Sequence, residues 1–400
     1  MSAKPFRIIG LFEGAYHNEV LEAYVFHFLP LTERLYIFTN TFQRQQAATW
    51  RDNAAIQWFL PEKNEKAGVF LQKNQQNLSS CDWLITTSLP EPAGDLAGFR
   101  FPCPAWLVVH NINYLFSGPF SNLYIGHDRF RDKVKIARYI FFSTPAKNKE
   151  VLVSFSNIIF PTERMRDYFL EHFPDAGFPT PAVIPFCRTT EVQRANFADV
   201  FHIVVPGSIR PDVRDYGIFL LVIPELLKKT SKKIRLSFLG KQKEGACEEI
   251  LRQLSVWQND RFSFVYYREF IPQHDFEQTM KTADVLVAPL RPVTRYDAKR
   301  EYFGYTSESG NIADIVKFQL PAVIPDFYPL PESLAEVVFR YDTAAGLAER
   351  LLSMIEGGSN EGILPSSEGL KFFDSEAVAD SILKQWHNFR SKSDSFAYVR

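Results

Sequence analysis

One segment of the C-terminal half places small residues next to charged ones. Residues 302–311 read YFGYTSESGN, and the pattern predicts a helix that begins at about Ser309. Small residues at a helix start let backbone N–H groups approach an anion, and the helix dipole favours that binding. Glu308 precedes this helix and Asp314 lies inside it, where a carboxylate suits ribose or sugar hydroxyls. The alternative is an N-capping Ser with a solvent-facing Asp, and at this point both interpretations stay open.

Basic residues also follow two other predicted strands. In the segment PGSIRPDVRDY, Gly207 permits a close backbone approach, while Arg210 and Arg214 offer forked donors that suit a pyrophosphate. Gly240-Lys241 follows the next strand and adds a point charge suited to phosphate. Each segment alone is typical of a turn with solvated basic residues. Their shared place at one edge of a predicted sheet favours an anion site.

The elements that must position these loops are short apolar runs alternating with helical segments. In the first half the runs include residues 7–12, 83–87 and 106–110, and after a polar linker at 188–199 the alternation restarts. Such alternation predicts parallel sheets covered by helices on both faces. The predicted fold class is therefore α/β, with two Rossmann-like parallel-sheet domains facing across a cleft.

The same alternation sets the predicted domain boundaries. They are residues 1–190, residues 200–375, and a C-terminal helix and tail at 376–400. In open sheets of this kind ligands bind beyond the carboxyl ends of the strands. The loops after each strand are therefore the candidate sites.

Composition and missing motifs exclude several classes of function. The 400 residues carry a formal net charge of −1, which argues against nucleic acid as a partner. The chain lacks the glycine fingerprint of nicotinamide Rossmann domains and the P-loop motif. Four cysteines without a C-x-x-C pair argue against a disulfide or zinc framework. With no signal peptide or membrane-spanning run recognised, we expect a cytoplasmic protein.

The order of blocks in the C-terminal half resembles a known family. PGSIRPDVRDY, SFLGK, YREFIPQHDFEQTMKTADVLVAPL and YTSESGNIADIVKFQLPAVI follow one another over residues 201–326. This arrangement resembles the second domain of GT-B glycosyltransferases, especially the family 4-like retaining group. The two carboxylates are six positions apart rather than the family's eight, one is Asp, and Ser208 stands where the family usually has Arg.

The resemblance implies a role for each matching residue. Arg214 and Lys241 would neutralise the donor diphosphate, and Ser309 and Gly310 would offer amides to phosphate. Glu308 would face the donor sugar. The remaining implied donor-binding residues are Gly14, Gly207, Ser208, Arg210, Arg268, Glu269, Ser307 and Asp314, with Arg268 and Glu269 beside the nucleobase and Asp314 on the ribose.

The resemblance also assigns the two domains. Residues 1–190 would be the acceptor side and 200–375 would bind the nucleotide sugar, which is a substrate rather than a cofactor. No cofactor is expected, and no metal, because Arg and Lys supply the electrostatic stabilisation that a metal would otherwise give.

The candidate acceptor side follows a strand of the first half. His110 ends the run WLVVH and precedes Asn111 and Asn113. His110 suits acid/base chemistry or the orientation of an acceptor hydroxyl. The alternative is a structural histidine at a strand end, which is the commoner case.

A basic segment covers residues 128–142, DRFRDKVKIARYIFF. Its apolar series at Phe130, Val134, Ala137 and Phe141 is typical of a helix. We expect this series to pack on the sheet and leave a solvated basic face. The alternative is peripheral contact with the inner face of an anionic membrane.

The resemblance implies a glycosyltransferase of the hexosyltransferase type. It would move a sugar from a nucleotide-diphosphate donor to a glycan, lipid-linked or protein acceptor, with retention and without metal. Two alternatives remain: a nucleotide-sugar epimerase of the same fold, which acts on the donor alone, and a catalytically silent GT-B scaffold that binds a partner.

Overall fold

The chain folds into two compact units. A computed structural model describes residues 4–15, 17–47, 49–126, 129–142, 144–178, 180–192, 199–243, 245–357 and 367–397. Unit 1 combines Met1–Arg188, Arg295–Glu308 and Phe373–Arg400, and unit 2 combines Thr189–Thr294 and Ser309–Phe372. Residues 193–198 of the expected linker, and Asp128 of the basic segment, lie outside the described residues.

The strands are short and mostly buried. They are β1 (Phe6–Glu13), β2 (Thr32–Phe38), β3 (Ile56–Phe59), β4 (Trp83–Ser88), β5 (Ala105–Val108), β6 (Asn157–Phe160), β7 (Ala182–Val183), β8 (Val200–Pro206), β9 (Lys233–Lys241), β10 (Phe262–Tyr267), β11 (Val285–Val287), β12 (Val293–Tyr296), β13 (Lys299–Tyr302), β14 (Ala322–Pro325) and β15 (Val338–Tyr341).

Helices connect most of these strands. They are α1 (Asn18–Phe28), α2 (Thr41–Gln46), α3 (Ala67–Lys73), α4 (Gln75–Ser79), α5 (Ile112–Phe116), α6 (Arg129–Phe141), α7 (Thr144–Leu152), α8 (Glu163–His172), α9 (Phe219–Lys229), α10 (Glu248–Val256), α11 (Gln273–Lys281), α12 (Gly310–Phe318), α13 (Ala344–Glu356), α14 (Ser367–Lys371) and α15 (Ser375–Ala397).

Unit 1 contains a seven-stranded parallel sheet. Its order is β3-β2-β1-β4-β5-β6-β7. β4, with the sequence WLITTS, is buried along its whole length, as a central strand covered on both faces must be. The strand order reverses between β1 and β4, so the loops after these two strands form the switch point at which such sheets bind ligands.

Unit 2 repeats this topology with six parallel strands. The order is β10-β9-β8-β11-β14-β15, so β8 and β11 take the places of β1 and β4. Phe219 of α9 and Leu351 of α13 join one apolar core with Phe238 of β9. The predicted pair of parallel α/β sheets is confirmed, and unit 2 has its own switch point after β8 and β11.

One segment of the C-terminal half returns to unit 1. After β11 the chain does not run directly into α12, because β12 and β13 form a two-stranded sheet between them. Lys299 is fully buried, and its Nζ donates hydrogen bonds to the carbonyl oxygens of Gly118 (2.6 Å) and Ser121 (2.5 Å). These long-range contacts hold β13 in unit 1.

The carboxylate of Glu301 also holds β13 in unit 1. Glu301 is fully buried and accepts hydrogen bonds from the backbone N–H groups of Asn113 (3.2 Å) and Tyr114 (2.8 Å) at the start of α5. Burial raises the pKa of Glu301 to about 8. Residues 295–308 therefore cluster with unit 1, whereas the division drawn from the sequence places them in 200–375.

Helix α6 packs with the face opposite to the one expected. Phe130 and Phe141 are 80% and 81% exposed, so the apolar series does not pack on the sheet. The buried side instead carries Asp132, which is ion-paired with Arg295, and Tyr139. The prediction that the apolar series packs inward is wrong, because the Asp132–Arg295 pair fixes the other face of the helix against unit 1.

Helix α15 closes the core of unit 1. Trp386 is 8% exposed and stacks on Trp83 with ring centroids 4.5 Å apart, while Phe6 and Trp106 contact its other edges. Gln385 also pairs with the backbone of Val183 in both directions. The C-terminal helix is therefore an integral part of unit 1.

We expect the substitution Trp386→Ala to destabilise unit 1 by about 3–5 kcal/mol, since it removes a large buried aromatic side chain. Guanidinium unfolding followed by circular dichroism measures this. Lys384→Ala, an exposed position on the same helix, serves as the control and should change the free energy of unfolding by less than about 0.5 kcal/mol. Equal effects of the two substitutions would show that α15 is not anchored through Trp386.

Candidate functional site

Two glycines shape the switch point of unit 2. Gly207, directly after β8, has a φ of +99° and donates its N–H to the carbonyl of Leu239 at 2.9 Å. A Cβ on Gly207 would overlap the Arg214 guanidinium, and a Cβ on Gly240 would overlap the Gly207 backbone. Only glycine at both positions lets the two loops and the arginine pack this closely.

Arg214 is a buried cation with spare hydrogen-bonding capacity. It is 8% exposed, and it donates from Nη1 to the carbonyl of Ser208 (3.3 Å) and from Nη2 to Oδ1 of Asn311 (3.0 Å). Its Nε is buried without a hydrogen-bond partner. Within the described ranges no carboxylate forms an ion pair with Arg214. A desolvated charge without a counter-ion is costly, so an anion bound here would gain more than at an exposed arginine.

The start of helix α12 lies beside this guanidinium. Ser309 is the N-cap, and its Oγ accepts a hydrogen bond from the N–H of Asn311. The N–H of Ser309 itself donates to the hydroxyl of Tyr328 at 3.2 Å, so this amide is already used. Gly310 is exposed, and a Cβ added there would meet nothing within 4 Å. Gly310, one of the predicted anion-binding residues, is thus accessible at the positive end of a helix dipole.

Asn311 organises this site, although it is not among the site residues predicted from the sequence. Its Nδ2 donates to the carbonyl of Pro206 (3.1 Å) and to Asp314 Oδ2 (3.4 Å), while its Oδ1 accepts from Arg214 and from Ser309. It therefore links the end of β8 to α12. A single Asn after a Ser has no distinctive spacing, and only the fold reveals the connection.

The other predicted cations of unit 2 are engaged in ion pairs at the surface. Lys241 pairs with Glu269 at 3.0 Å, and Arg210 pairs with Asp212 at 2.8 Å. Arg268 is 69% exposed and lies 4.0 Å from a carboxylate oxygen of Glu248. The pairs of Lys241 and Arg268 are exposed, so they are individually weak and can be exchanged for another anion, whereas Arg210 and Asp212 are only 35% and 22% exposed.

The predicted donor residues of unit 2 thus divide into two groups. The structure brings Gly207, Ser208, Arg214, Ser309, Gly310 and Asp314 together through Asn311 and Arg214. The surface pairs are Arg210, Lys241, Arg268 and Glu269.

In unit 1 the equivalent switch point carries a buried carboxylate. Glu13 is 1% exposed and accepts hydrogen bonds from the N–H of Ala15 (2.9 Å) and the hydroxyls of Thr87 (2.6 Å) and Ser88. Burial raises its pKa. A Cβ on Gly14 would overlap the backbone of Pro90, so the predicted glycine loop is held tightly against the loop after β4.

A cavity of about 580 Å³ opens at this switch point, and its lining includes His17, His110, Asn111 and Tyr114. The His110 ring stacks on His17 with centroids 4.8 Å apart. Its Nε2 lies 2.7 Å from the carbonyl oxygen of Thr87, which only accepts hydrogen bonds. Nε2 therefore carries the proton of the neutral ring, and Nδ1 is the acceptor.

The electrostatics keep His110 neutral near pH 7. Burial is the main cause that lowers the pKa of His110 to about 4; the charge on nearby His17 contributes in the same direction, while the hydrogen bond to Thr87 and the charge on Glu19 act in the opposite direction. A neutral imidazole can accept a proton or orient a hydroxyl. The predicted place of His110 at a cavity is thus consistent with the geometry, and its role stays a prediction.

Asn113 does not lie at this cavity surface. It is fully buried, and its Nδ2 donates to the carbonyl of Arg300 at 2.9 Å. Its Oδ1 accepts from Asn122 at 3.1 Å. The expectation that Asn113 reaches an acceptor needs correction, because its side chain has no exposed surface. Asn113 instead holds β13 in place through its hydrogen bond to Arg300.

Ser307 and Glu308 belong to unit 1 rather than to the switch-point loops of unit 2. Ser307 forms an isolated β-bridge with Asn111. Glu308 lies close enough to the thiol of Cys187 for its charge to add to the effect of burial, which is the main cause of the raised pKa of that thiol. Glu308 is therefore the last residue of the middle segment of unit 1, and Ser309 begins the second segment of unit 2.

Comparisons with solved structures identify the fold. HepE from Anabaena, in complex with UDP and glucose, is 15% identical with a TM-score of 0.58, over 96% of this chain and 100% of that one. The pneumococcal O-GlcNAc transferase GtfA, in complex with UDP and GlcNAc, is 10% identical with a TM-score of 0.55, over 96% and 99%. A UDP-forming α,α-trehalose-phosphate synthase from Burkholderia vietnamiensis is 10% identical with a TM-score of 0.53, over 96% and 100%.

These likenesses confirm that the chain has the GT-B fold. No protein-family model matches the sequence, and no curated protein matches it either. At such low identities the similarity defines the fold and leaves the reaction to be argued from the site.

The described residues contain neither a membrane-spanning helix nor a metal-binding cluster. None of the described helices is both long and apolar enough to span a membrane. No group of three or more His, Cys, Asp or Glu side chains in the described ranges is arranged to hold a metal ion. The metal-independent chemistry expected above stays a prediction.

The stacked histidines give a test of the local electrostatics. We expect His17→Gln to raise the pKa of His110 above about 4, because a neighbouring positive charge that disfavours protonation is removed. Glu19→Gln is the matched variant and should lower the pKa of His110. NMR titration of the His110 ring measures both, and shifts of the same sign would contradict the arrangement.

Proposed function

We propose that the protein is a glycosyltransferase that uses a nucleotide-diphosphate sugar. The single observation that carries this proposal is the buried Arg214 guanidinium, which lacks a carboxylate partner among the described residues and retains an unpartnered Nε beside the start of α12. A diphosphate supplies the anionic oxygens that this arrangement lacks. The GT-B fold agrees with the proposal, since its solved examples include complexes with UDP and a sugar.

Arg214 and Gly310 would act on the leaving group. Breaking the bond between sugar and diphosphate builds negative charge on the phosphate oxygens. A fixed guanidinium and a helix-terminal N–H group stabilise that charge without having to reorganise. Lys241 would join them by exchanging Glu269 for phosphate, since its present ion pair is largely exposed.

The remaining polar groups would hold the sugar nucleotide. Asp314, oriented by Asn311, would accept hydrogen bonds from ribose hydroxyls. Glu308 would face the donor sugar, and Arg268 and Glu269 would lie beside the base. Neutral His110 would orient an acceptor hydroxyl or take its proton. The acceptor is a glycan, a lipid-linked sugar or a protein, and we propose transfer with retention and without a metal.

A catalytically silent scaffold is the second candidate. The observation that favours it is that Arg210 and Lys241, two of the predicted phosphate-binding cations, are paired with carboxylates. A scaffold of this kind would not bind nucleotides. The epimerase alternative predicts instead that the donor alone is converted to a new sugar nucleotide.

The proposal is tested by the binding of UDP. We expect Arg214→Ala to raise the Kd for UDP by about tenfold to a hundredfold, because a charge-assisted hydrogen bond of about 1.5–3 kcal/mol is lost. Isothermal titration calorimetry measures the change. Arg214→Lys, which keeps the charge but not the fork, should fall in between.

The control is Arg210→Ala, which removes an arginine that is already paired with Asp212. It should change the Kd by less than about twofold. Thermal unfolding of each variant checks that the loop after β8 is intact. If Arg214→Ala binds UDP as the wild type does, the site assignment is wrong, and if the wild type binds none of UDP, GDP and ADP, the scaffold is the better description.

A further inference from the structure

The exposed face of α6 is a continuous apolar stripe. Phe130, Val134, Ala137 and Phe141 follow one another at intervals of four, three and four residues, which places them on one side of a helix. Phe130 is 80%, Val134 44% and Phe141 81% exposed. Large aromatic side chains aligned on a solvent-facing helix indicate an interaction surface.

The stripe cannot turn inward without breaking buried contacts. On the opposite side of α6, Asp132 forms its ion pair with Arg295 and accepts a hydrogen bond from the N–H of Gly126 at 2.7 Å. Tyr139 is 2% exposed, and the Lys299 ammonium lies 5.0 Å from the centre of its ring. The orientation of the helix is therefore set by polar contacts of unit 1.

Positive charge surrounds the stripe. Residues 129–153 contain seven Lys or Arg and only two acidic residues, in a chain whose overall charge is −1. One of the two acidic residues is Asp132, which is buried in its ion pair and does not offset the surface charge. The exposed cations of this segment include Arg131, Lys133, Arg138, Lys147 and Lys149.

We propose that the stripe of α6 docks the protein onto an anionic lipid surface. Exposed aromatic rings flanked by Lys and Arg suit the boundary between headgroups and acyl chains, where the rings insert and the cations contact phosphate. Charge complementarity favours lipid over a second copy of this nearly neutral chain. The docking does not depend on the proposed sugar transfer.

A groove beside the stripe extends the apolar surface. It has a volume of about 970 Å³, and its lining includes Ile140 of α6 and Leu152 of α7, followed by Val153, which is 61% exposed. The groove offers room for hydrocarbon next to the same two helices, so docking buries more apolar surface than the stripe alone.

Flotation with lipid vesicles tests the proposal on the full chain. Vesicles of phosphatidylcholine alone are compared with vesicles that also contain phosphatidylglycerol, at low and high salt. We expect the protein to float with the anionic vesicles only, and less at high salt because exposed charges are screened. Absence of binding to the anionic vesicles at low salt overturns the proposal.

Two pairs of substitutions localise the contact. Phe130→Ser with Phe141→Ser removes the apolar insertion, and Arg131→Glu with Lys133→Glu reverses two charges. We expect the charge reversal to weaken vesicle binding by at least about fivefold per cation. The matched controls on α9 are Leu221→Ser, at a side chain that is 64% exposed, and Lys228→Glu with Lys229→Glu, and they should leave binding unchanged.

Light scattering of the free protein tests whether a second copy of the chain, rather than lipid, covers the stripe of α6. If the chain forms dimers that Phe130→Ser with Phe141→Ser abolishes, the stripe is an interface between copies and the lipid proposal is overturned. Equal loss of vesicle binding in the α6 and α9 variants also overturns it, because the contact would then be non-specific.

Discussion

The candidate site of unit 2 is built around one desolvated charge, the guanidinium of Arg214. Arg214 is held in the interior of unit 2 by two neutral acceptors, the carbonyl of Ser208 and the amide of Asn311. Neither removes the cost of burying a guanidinium without a counter-ion. The neighbouring residues permit this position of Arg214. Gly207 leaves space for the guanidinium, and Gly240 lets the neighbouring loop approach. The N-cap at Ser309 begins a helix beside it.

The two units share one topology, but they bury opposite charges at their switch points. The switch point of unit 2 buries a cation that has unused donors, whereas that of unit 1 buries the carboxylate of Glu13, which accepts from Ala15, Thr87 and Ser88. Only the first has an unmet requirement for an anion. The second opens onto a cavity that is lined by two stacked histidines. The same fold therefore offers two chemically distinct sites, and the electrostatics rather than the topology distinguish them.

The sequence predicted the parallel sheets because buried parallel strands are continuous apolar runs, and it located the glycine-bearing loops because these follow such runs directly. It failed where long-range polar contacts decide the structure. The burial of Lys299 and Glu301 in unit 1 depends on backbone groups almost two hundred residues away. The orientation of α6 depends on the pair of Asp132 with Arg295. Asn311 has no spacing that sets it apart. In each case the local sequence is compatible with two arrangements of the side chain, and a contact with a residue distant in the sequence determines which arrangement forms.

The most direct measurement is a crystal structure of the protein with UDP. We expect diphosphate oxygens within hydrogen-bonding distance of the Arg214 guanidinium, including its Nε, and of the Gly310 N–H, with Gly207 in the same left-handed conformation. UDP bound elsewhere, with the Nε of Arg214 still lacking a partner at saturating nucleotide, would contradict this expectation.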